Sequence, residues 1–299
     1  MTALATSQAH AGDDQEASAA PRADCIADSA GGLTFDVTDP GEPGTEAVAH
    51  LVLRRRDTES AESAESSEST VRLPLTPSGD GRLRAALPSS VGLAEGRWNA
   101  YAQVAGGEPR RLMPGLNDLR SLVDRAPSGS RGHVAVRIPY ATKQGNLSVR
   151  SWLRAPHAES GEVEISGTAM TVRGRVYGTT LTDAGYVEAV RRDEPDAVQR
   201  AEITAEGPEF SFALPYGPLA DRGAGPWDLW LRPAGDSGPR VRLARILDDV
   251  PDKKPIFTYP VVPCVTKEHG TLEAGPYYTL DNDLSVRVRE TNAKEGTGK

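Results

Sequence analysis

Cysteine and long apolar runs are scarce in this sequence. Two cysteines occur among 299 residues, Cys25 and Cys264, near opposite ends of the chain, so a structural disulfide or a cysteine-rich metal site has little support. No segment approaches the ~20 apolar residues that a membrane-spanning helix needs. Residues 1–14 lack the basic and apolar regions of a signal peptide. We therefore expect a soluble, cytoplasmic protein without a membrane partner.

Motifs that would indicate catalysis are also missing. The five histidines lack the spacing that directs two side chains at one metal ion. The sequence contains no Gly-x-Ser-x-Gly elbow, no phosphate-binding Gly-Lys-Ser loop and no dinucleotide-binding Gly-x-Gly-x-x-Gly. Asp281 and Asp283 flank Asn282, a pattern more typical of a turn than of an acid and base pair. The sequence favours a protein without catalytic residues, metal or cofactor.

An excess of positive charge is absent too. The net charge is −8, whereas a protein that neutralises nucleic-acid phosphates needs a concentrated basic face. The basic run at residues 54–56 leads directly into an acidic stretch. We therefore expect no nucleic-acid partner. Arginine greatly outnumbers lysine, and alanine, glycine and proline are abundant, which indicates a GC-rich bacterial genome.

What the chain does contain is a repeated segment. Residues 96–107 (GRWNAYAQVAGG) are similar in pattern to residues 225–235 (GPWDLWLRPAG). Each copy follows a strand-like segment that ends in Ala-Leu-Pro or a close variant, at residues 83–88 (LRAALP) and 210–215 (FSFALP). The same order of strand, turn and tryptophan strand therefore occurs twice, which predicts an internal duplication.

A second pair of segments supports the duplication. Residues 139–150 (PYATKQGNLSVR) share Pro, Tyr, Thr, Leu, Ser, Val and Arg, in register, with residues 276–287 (PYYTLDNDLSVR). Each copy predicts a turn followed by a strand that ends its module. We place the two modules at residues 31–156 and 157–290.

The remaining segments are predicted as follows. Residues 1–30 and 291–299 have too few branched and aromatic side chains to offset the entropy of ordering, so we expect a disordered arm and a disordered tail. The acidic residues 57–70 form an insertion in a hairpin loop, which costs the fold little. The leucine spacing in residues 113–126 predicts a short helix, whereas residues 241–250 fit a helix or a strand equally well.

The fold class follows from many short alternating segments and from 30 glycines and 23 prolines. These features predict an all-β protein of two tandem immunoglobulin-like β-sandwich modules, related by internal duplication. Trp98 and Trp227 take matching inward positions and are the predicted core anchors, since a buried tryptophan on a central strand is typical of such sandwiches.

The outward face of the same two strands supplies the candidate binding residues. Side chains alternate along a strand, so Tyr101 and Trp230 are equivalent aromatic residues turned away from their own cores. A rigid aromatic ring offers a large contact area to a sugar ring or a protein partner. Packing under a loop or against the other module is the alternative. Beside these rings we place Asp228 and Arg232 in the second copy, and Asn99 and Gln103 in the first.

The two repeated motifs also carry a family resemblance. The Pro-Tyr-x-Thr to Leu-Ser-Val-Arg motif, together with the Ala-Leu-Pro to Gly-x-Trp segment, resembles the accessory β-rich regions of actinobacterial glycosyltransferases and glycerophosphotransferases that build cell-wall polymers. The resemblance covers residues 31–290. It implies a pair of β-sandwiches that assists a transferase by oligomerising it or by holding its acceptor polymer. The chain has no transferase domain, so no catalytic residue is carried over.

Three functions remain open at this point. The leading hypothesis is a non-catalytic binding or assembly protein whose partner is a carbohydrate polymer or a separately encoded transferase. The second is a small tailoring enzyme of bacterial natural-product biosynthesis, a transferase or isomerase, with a site between the modules near Arg150, His157 and Asp183. The third is a purely structural homo-oligomer.

Overall fold

The chain folds almost entirely into β-strands. Within the described part of the chain there are twenty strands and one short α-helix, α1 (Gly217–Ala220), and none of its helices is long and apolar enough to span a membrane. The all-β class predicted from the sequence is confirmed. A computed structural model of the chain describes residues 20–38, 48–56, 69–104, 106–123, 125–127 and 132–291.

The first ten strands pair with one another in a single sheet. They are β1 (Arg22–Ala27), β2 (Leu33–Thr38), β3 (Ala49–Arg55), β4 (Thr70–Pro77), β5 (Leu83–Leu87), β6 (Gly96–Val104), β7 (Arg110–Arg111), β8 (Met113–Asp118), β9 (Val134–Ala141) and β10 (Leu147–Arg154). Their order is β8-β1-β2-β5-β4-β3-β6-β10-β9, with β7 paired to β6. The sheet turns a corner along β4, which pairs first with β3 and then, at its end, with β5.

The last ten strands form a second sheet. They are β11 (His157–Ser166), β12 (Ala169–Tyr177), β13 (Tyr186–Arg191), β14 (Val198–Glu206), β15 (Glu209–Pro215), β16 (Gly225–Arg232), β17 (Val241–Ala244), β18 (Val262–Thr266), β19 (Gly270–Tyr278) and β20 (Leu284–Glu290). Their order is β13-β14-β15-β12-β11-β17-β16-β20-β19-β18. An additional pairing of β13 with β16 closes part of this sheet into a ring, so it is both sandwich-like and barrel-like.

The pairings of the two sheets correspond strand by strand. Strands β1 to β6 pair with one another as β11 to β16 do, and β9 and β10 pair as β19 and β20 do. Strand β17 takes the places of both β7 and β8, since it pairs with β16 and runs parallel to β11. The register also agrees: Val149 lies opposite Trp98, and Val286 lies opposite Trp227. Strand β18 is an addition at the edge of the second sheet.

Each half has its own apolar core around a tryptophan. Trp98 and Trp227 are each 1% exposed. Trp98 belongs to a cluster with Phe35 and Leu51, and Trp227 belongs to a separate cluster with Phe212. Along β12 and β16 the buried residues occupy alternate positions, as the pleat of a sheet requires.

The prediction of a disordered arm over residues 1–30 is wrong for its last part. Residues 22–27 form β1, which lies between β2 and β8. Its inward residues Ala23, Cys25 and Ala27 are small but fully buried. Composition misled the prediction, because neighbouring strands supply the large side chains that this strand lacks. Residues 1–19 lie outside the described part of the chain, as do most of the acidic insertion and the tail from residue 292.

The helix predicted over residues 113–126 is also wrong. Residues 113–118 form β8, which pairs in parallel with β1, and the helical geometry is limited to one 3-10 turn at Arg120–Leu122. Pro114 and Gly115 weaken a helix, and the pairing with β1 decides the outcome. Residues 241–244, for which helix and strand were both open, form β17.

The placement of β1 leads to a labelling prediction. We expect Cys25 to resist a thiol reagent in the native protein and to react only after unfolding. Burial raises the pKa of its thiol well above the usual range, so little reactive thiolate is present. Cys264, which is also buried, should behave in the same way. Mass spectrometry after labelling with and without urea measures both. Rapid native labelling of Cys25 would contradict the position of β1 in the sheet.

Candidate functional site

The two predicted aromatic residues lie on outward faces, and arginine side chains cover them. The Tyr101 ring centroid lies 5.3 Å from the guanidinium carbon of Arg54 and 4.9 Å from that of Arg111. The Trp230 centroid lies 4.4 Å from Arg240 and 4.8 Å from Arg242. A guanidinium that stacks on a ring keeps its N–H donors in the plane of the group. These surfaces therefore suit anionic or hydrogen-bonding partners better than bare sugar stacking.

Next to Trp230 lies a group of four residues that we call the second tetrad: Arg192, Asp228, Arg242 and Ser285. Asp228 sits at its centre. Arg192 Nη2 donates to Asp228 Oδ1 at 2.5 Å, and Arg242 Nη1 lies 3.0 Å from Oδ2. The Ser285 hydroxyl also donates to Oδ1, at 3.2 Å.

The electrostatics of the second tetrad favour the ionised carboxylate. Burial by itself would raise the pKa of Asp228, but the hydrogen bonds and charges of Arg192 and Arg242 outweigh burial and lower this pKa to about 2. The same contacts raise the pKa of Arg192. Asp228 is therefore a structural ion-pair partner at neutral pH.

An equivalent group lies next to Tyr101, and we call it the first tetrad: Arg56, Asn99, Arg111 and Ser148. Arg111 Nη2 donates to Asn99 Oδ1 at 2.6 Å, and Arg56 Nη2 donates to the same oxygen at 3.2 Å. Both guanidinium groups also lie 3.2 Å from the Ser148 hydroxyl oxygen. Arg111 is fixed further by bonds from Nη1 to the carbonyls of Ala100 and Leu147.

The register makes the two tetrads equivalent position by position. Asn99 lies opposite Ser148, as Asp228 lies opposite Ser285. The second aromatic residue of each strand lies opposite its arginine, Tyr101 opposite Arg111 and Trp230 opposite Arg242. Arg56 and Arg192 each follow the arginine that pairs with, respectively, Trp98 and Trp227.

Asn99 differs from its predicted position. We expected it outside beside Tyr101, but it is 7% exposed because two guanidinium groups and the Ser148 hydroxyl cover its amide. Sequence reasoning also missed Arg56, Arg111, Arg192 and Arg242. Aligning the two halves would have found Arg56 and Arg192, since residues 54–56 (RRR) align with residues 190–192 (VRR).

Arg232, the remaining predicted binding residue, is half-buried and pairs with a carboxylate of the protein. Its Nε donates to Glu188 Oε1 at 3.3 Å, and Arg240 Nε lies 2.5 Å from the same oxygen. Glu188 is 4% exposed, and it lies opposite Trp230 in the sheet. Asp228, Trp230 and Arg232 therefore lie together on the outward face of β16. The charged groups of Asp228 and Arg232 are paired with other side chains of the protein. Tyr101 belongs to the other sheet.

The junction between the halves does not provide the site that the enzyme hypothesis needs. Arg150 is 3% exposed and donates to Asp281 Oδ1 at 2.5 Å, and the Trp152 indole donates to the Asp281 carbonyl. Ala244 and Ile246 of the second half belong to the core cluster of the first. The junction is therefore closed by apolar packing and ion pairs. Asp183 lies apart from these contacts, in an exposed turn before β13.

His157, the third residue of that hypothesis, belongs to a closed polar cluster. Its Nε2 lies 2.7 Å from Glu159 Oε2, and it is 0% exposed. Glu159 also accepts the backbone N–H groups of residues 246 and 247. Lys253, equally buried, bonds Asp248, and burial lowers its pKa. The bonds to Glu159 attach residues 246 and 247 to β11, and the Lys253–Asp248 bond lies within the same loop. His157 and Lys253 are 0% exposed, which leaves them no access to a substrate.

Two other kinds of site have little support. A surface hollow at the junction is lined mainly by residues of β8 and the following turn, and its Asp118 carboxylate is paired with Arg120, which lowers the Asp118 pKa to about 2. The Asp118 carboxylate in this hollow is therefore already paired with a neighbouring side chain. In the described ranges, no group of three or more His, Cys, Asp or Glu side chains could hold a metal ion.

Comparison with known proteins gives no family. No protein-family model matches the sequence, and no curated protein matches it. Among solved structures, the chain is similar to S. aureus TarS at 13% identity, over 64% of this chain and 35% of that one, with a TM-score of 0.27. It is also similar to a marsupial T cell receptor at 8% identity, over 90% of each chain, with a TM-score of 0.26. The chain thus spans about a third of TarS, and neither similarity carries an argument about function.

Proposed function

We propose that this chain is a non-catalytic binding protein made of two copies of one immunoglobulin-like β-sandwich. The partner binds the outward face of the central strands β6 and β16. The observation that carries this proposal is the matched pair of tetrads, each beside an aromatic residue stacked with arginines, at equivalent register positions.

The duplication is supported by details that a chance likeness of two sandwiches would not reproduce. Both halves have a parallel pairing between their first strand and the segment that follows the tryptophan strand. Both place a tryptophan opposite a valine and a polar residue opposite a serine, one position further along. Sandwich folds vary in these local features, so a common origin of the halves is the simplest explanation.

The chemistry of the two faces favours a partner with anionic or hydrogen-bonding groups. Stacked arginine and aromatic side chains are enriched in binding hot spots, where they lose little entropy on binding. A polyol-phosphate or glycan polymer fits this description, as does a transferase that carries one. On the face of β16, arginines pair with the carboxylates of Asp228 and Glu188, which favours a structural role for both acids.

A binding comparison tests the proposal. The full chain is titrated with polyol-phosphate polymers, glycans and candidate transferases that build such polymers. We expect the double variant Tyr101→Ala/Trp230→Ala to weaken binding at least tenfold, because both rings anchor stacked guanidinium groups. The matched control Tyr101→Phe/Trp230→Phe keeps the rings and should bind as the wild type does. If the alanine variant, folded by circular dichroism, binds with unchanged affinity, the faces are not the binding surfaces.

A further inference from the structure

The two tetrads differ at their centres by one charge. Asn99 occupies the position in the first sheet that Asp228 occupies in the second, opposite a serine in both cases. The two side chains have nearly the same shape, but Asp228 carries a negative charge. Two guanidinium groups converge on each of them. The second tetrad therefore contains its own counterion, and the first has a neutral amide in that place.

The residues around the first tetrad increase the difference in charge between the two tetrads. Arg54 lies opposite Asn99, where the second sheet has Val190 opposite Asp228. Arg54 stacks on Tyr101, and it makes no hydrogen bond or ion pair with the described residues. Over the same residues, the contacts of Arg56 are with neutral oxygens alone, and they use one nitrogen, Nη2. A guanidinium has five N–H donors, so most donors of these two arginines have no acceptor among the described residues.

We propose that the first tetrad, with Arg54 and Tyr101, binds a phosphate group, and that the second tetrad does not. The inference rests on the proposed function, because it assigns a ligand chemistry to one of the two faces. The phosphate supplies negative charge to Arg54 and Arg56, whose contacts with the described residues include no carboxylate.

Phosphate fits this group of donors better than a carboxylate does. Arg54 lies on β3, and Arg56 directly follows that strand. Both lie on the face where hydrogen bonds to two backbone carbonyls fix Arg111. Donors spread in this way match the several oxygens of a tetrahedral anion, and arginine forks bind phosphate oxygens in pairs. The Tyr140 hydroxyl gives further support. It is buried without a hydrogen-bond partner, opposite Ser148, whereas the equivalent Tyr277 hydroxyl accepts from Arg192.

The experiment titrates the full chain with inorganic phosphate and with glycerol phosphate, using glycerol as the uncharged control. Arginine Nε–H signals are followed by NMR and assigned through Arg54→Lys and Arg56→Lys variants. We expect saturable shifts of the Arg54 and Arg56 signals with both phosphates and none with glycerol. Absence of saturable shifts in the wild-type protein overturns the proposal.

Two variants exchange the central residue. Asn99→Asp should weaken phosphate binding by roughly tenfold or more, since it places a carboxylate within contact distance of the same arginines. Asp228→Asn should create a second site, with new shifts at Arg192. Thermal unfolding confirms that both variants are folded. Unchanged affinity in folded Asn99→Asp protein also overturns the proposal.

The result is separable from the proposed function. If Tyr101→Ala/Trp230→Ala weakens partner binding while phosphate does not bind the wild type, the faces bind a partner through other chemistry and the phosphate assignment fails alone. If phosphate binds at Arg56 but the alanine variant binds its partner normally, the phosphate site is real and the aromatic surfaces are not the partner's site.

Discussion

Replacing Trp98 or Trp227 by alanine is expected to lower the free energy of unfolding by about 3–5 kcal/mol, the usual cost of deleting a large aromatic side chain from a packed core. Both indoles are 1% exposed and sit at matching positions of their sheets. Urea unfolding followed by circular dichroism measures the loss. A loss in this range is expected for each variant, since each tryptophan anchors its own cluster.

Phenylalanine at the same positions separates the two sites. The Trp98 indole Nε1 donates to the Ala94 carbonyl at 2.9 Å, whereas the Trp227 Nε1 is buried without a partner. Trp98→Phe leaves a carbonyl without its donor, but Trp227→Phe removes an unsatisfied N–H. We expect Trp98→Phe to be the more destabilising by about 1–2 kcal/mol. Equal losses, or the reverse order, would show that one of the two indole environments differs from this description.

The second large effect is expected at Arg154, which joins the two halves. Its Nη1 donates to Asp283 Oδ1 at 2.9 Å and its Nη2 to Glu95 Oε1 at 2.8 Å. Burial opposes its charge, but the two carboxylates outweigh burial and raise its pKa. Arg154→Met removes a guanidinium that pairs with Asp283, whose side chain is only 12% exposed. We expect a loss of about 3 kcal/mol, which is typical when one partner of a buried pair is removed.

A surface pair provides the control for Arg154. Arg175 pairs with Glu209, but these side chains are 49% and 54% exposed. Arg175→Met should therefore change stability by less than about 1 kcal/mol. Both variants are compared by urea unfolding at low and high salt. If the two substitutions cost the same, the junction pairs are solvated and do not hold the halves together.

Much of the fold was predictable because its signals are local. Alternation along β6 and β16 indicated which side chains face inward, and the repeated motifs lie at matching register positions in the two sheets. The errors came where distant strands decide the outcome. Strand β1 has an inward face of small residues, and β8 contains Pro114 and Gly115, so neither shows a strong strand pattern. β1 is a strand because it pairs with β2 and β8, and β8 is a strand because it pairs with β1.

The site was predictable only in part, for a similar reason. Tyr101 and Trp230 follow from alternation on one strand. Each tetrad combines residues from four separate segments of its half, and single-strand patterns do not show which arginines converge. The difference between Asn99 and Asp228 is visible when the two halves are aligned, but its effect depends on the guanidinium groups around each residue. Charge complementarity across strands is therefore the information that folding adds.

The reciprocal double variant Asn99→Asp/Asp228→Asn tests most directly whether the halves are equivalent copies that differ in charge. It is titrated with inorganic phosphate while the arginine Nε–H signals are followed. If the halves are copies, the phosphate site should move from the first sheet to the second, so that saturable shifts appear at Arg192 and disappear at Arg56. Shifts that stay at Arg56, or that appear at neither arginine in the folded variant, would contradict that equivalence.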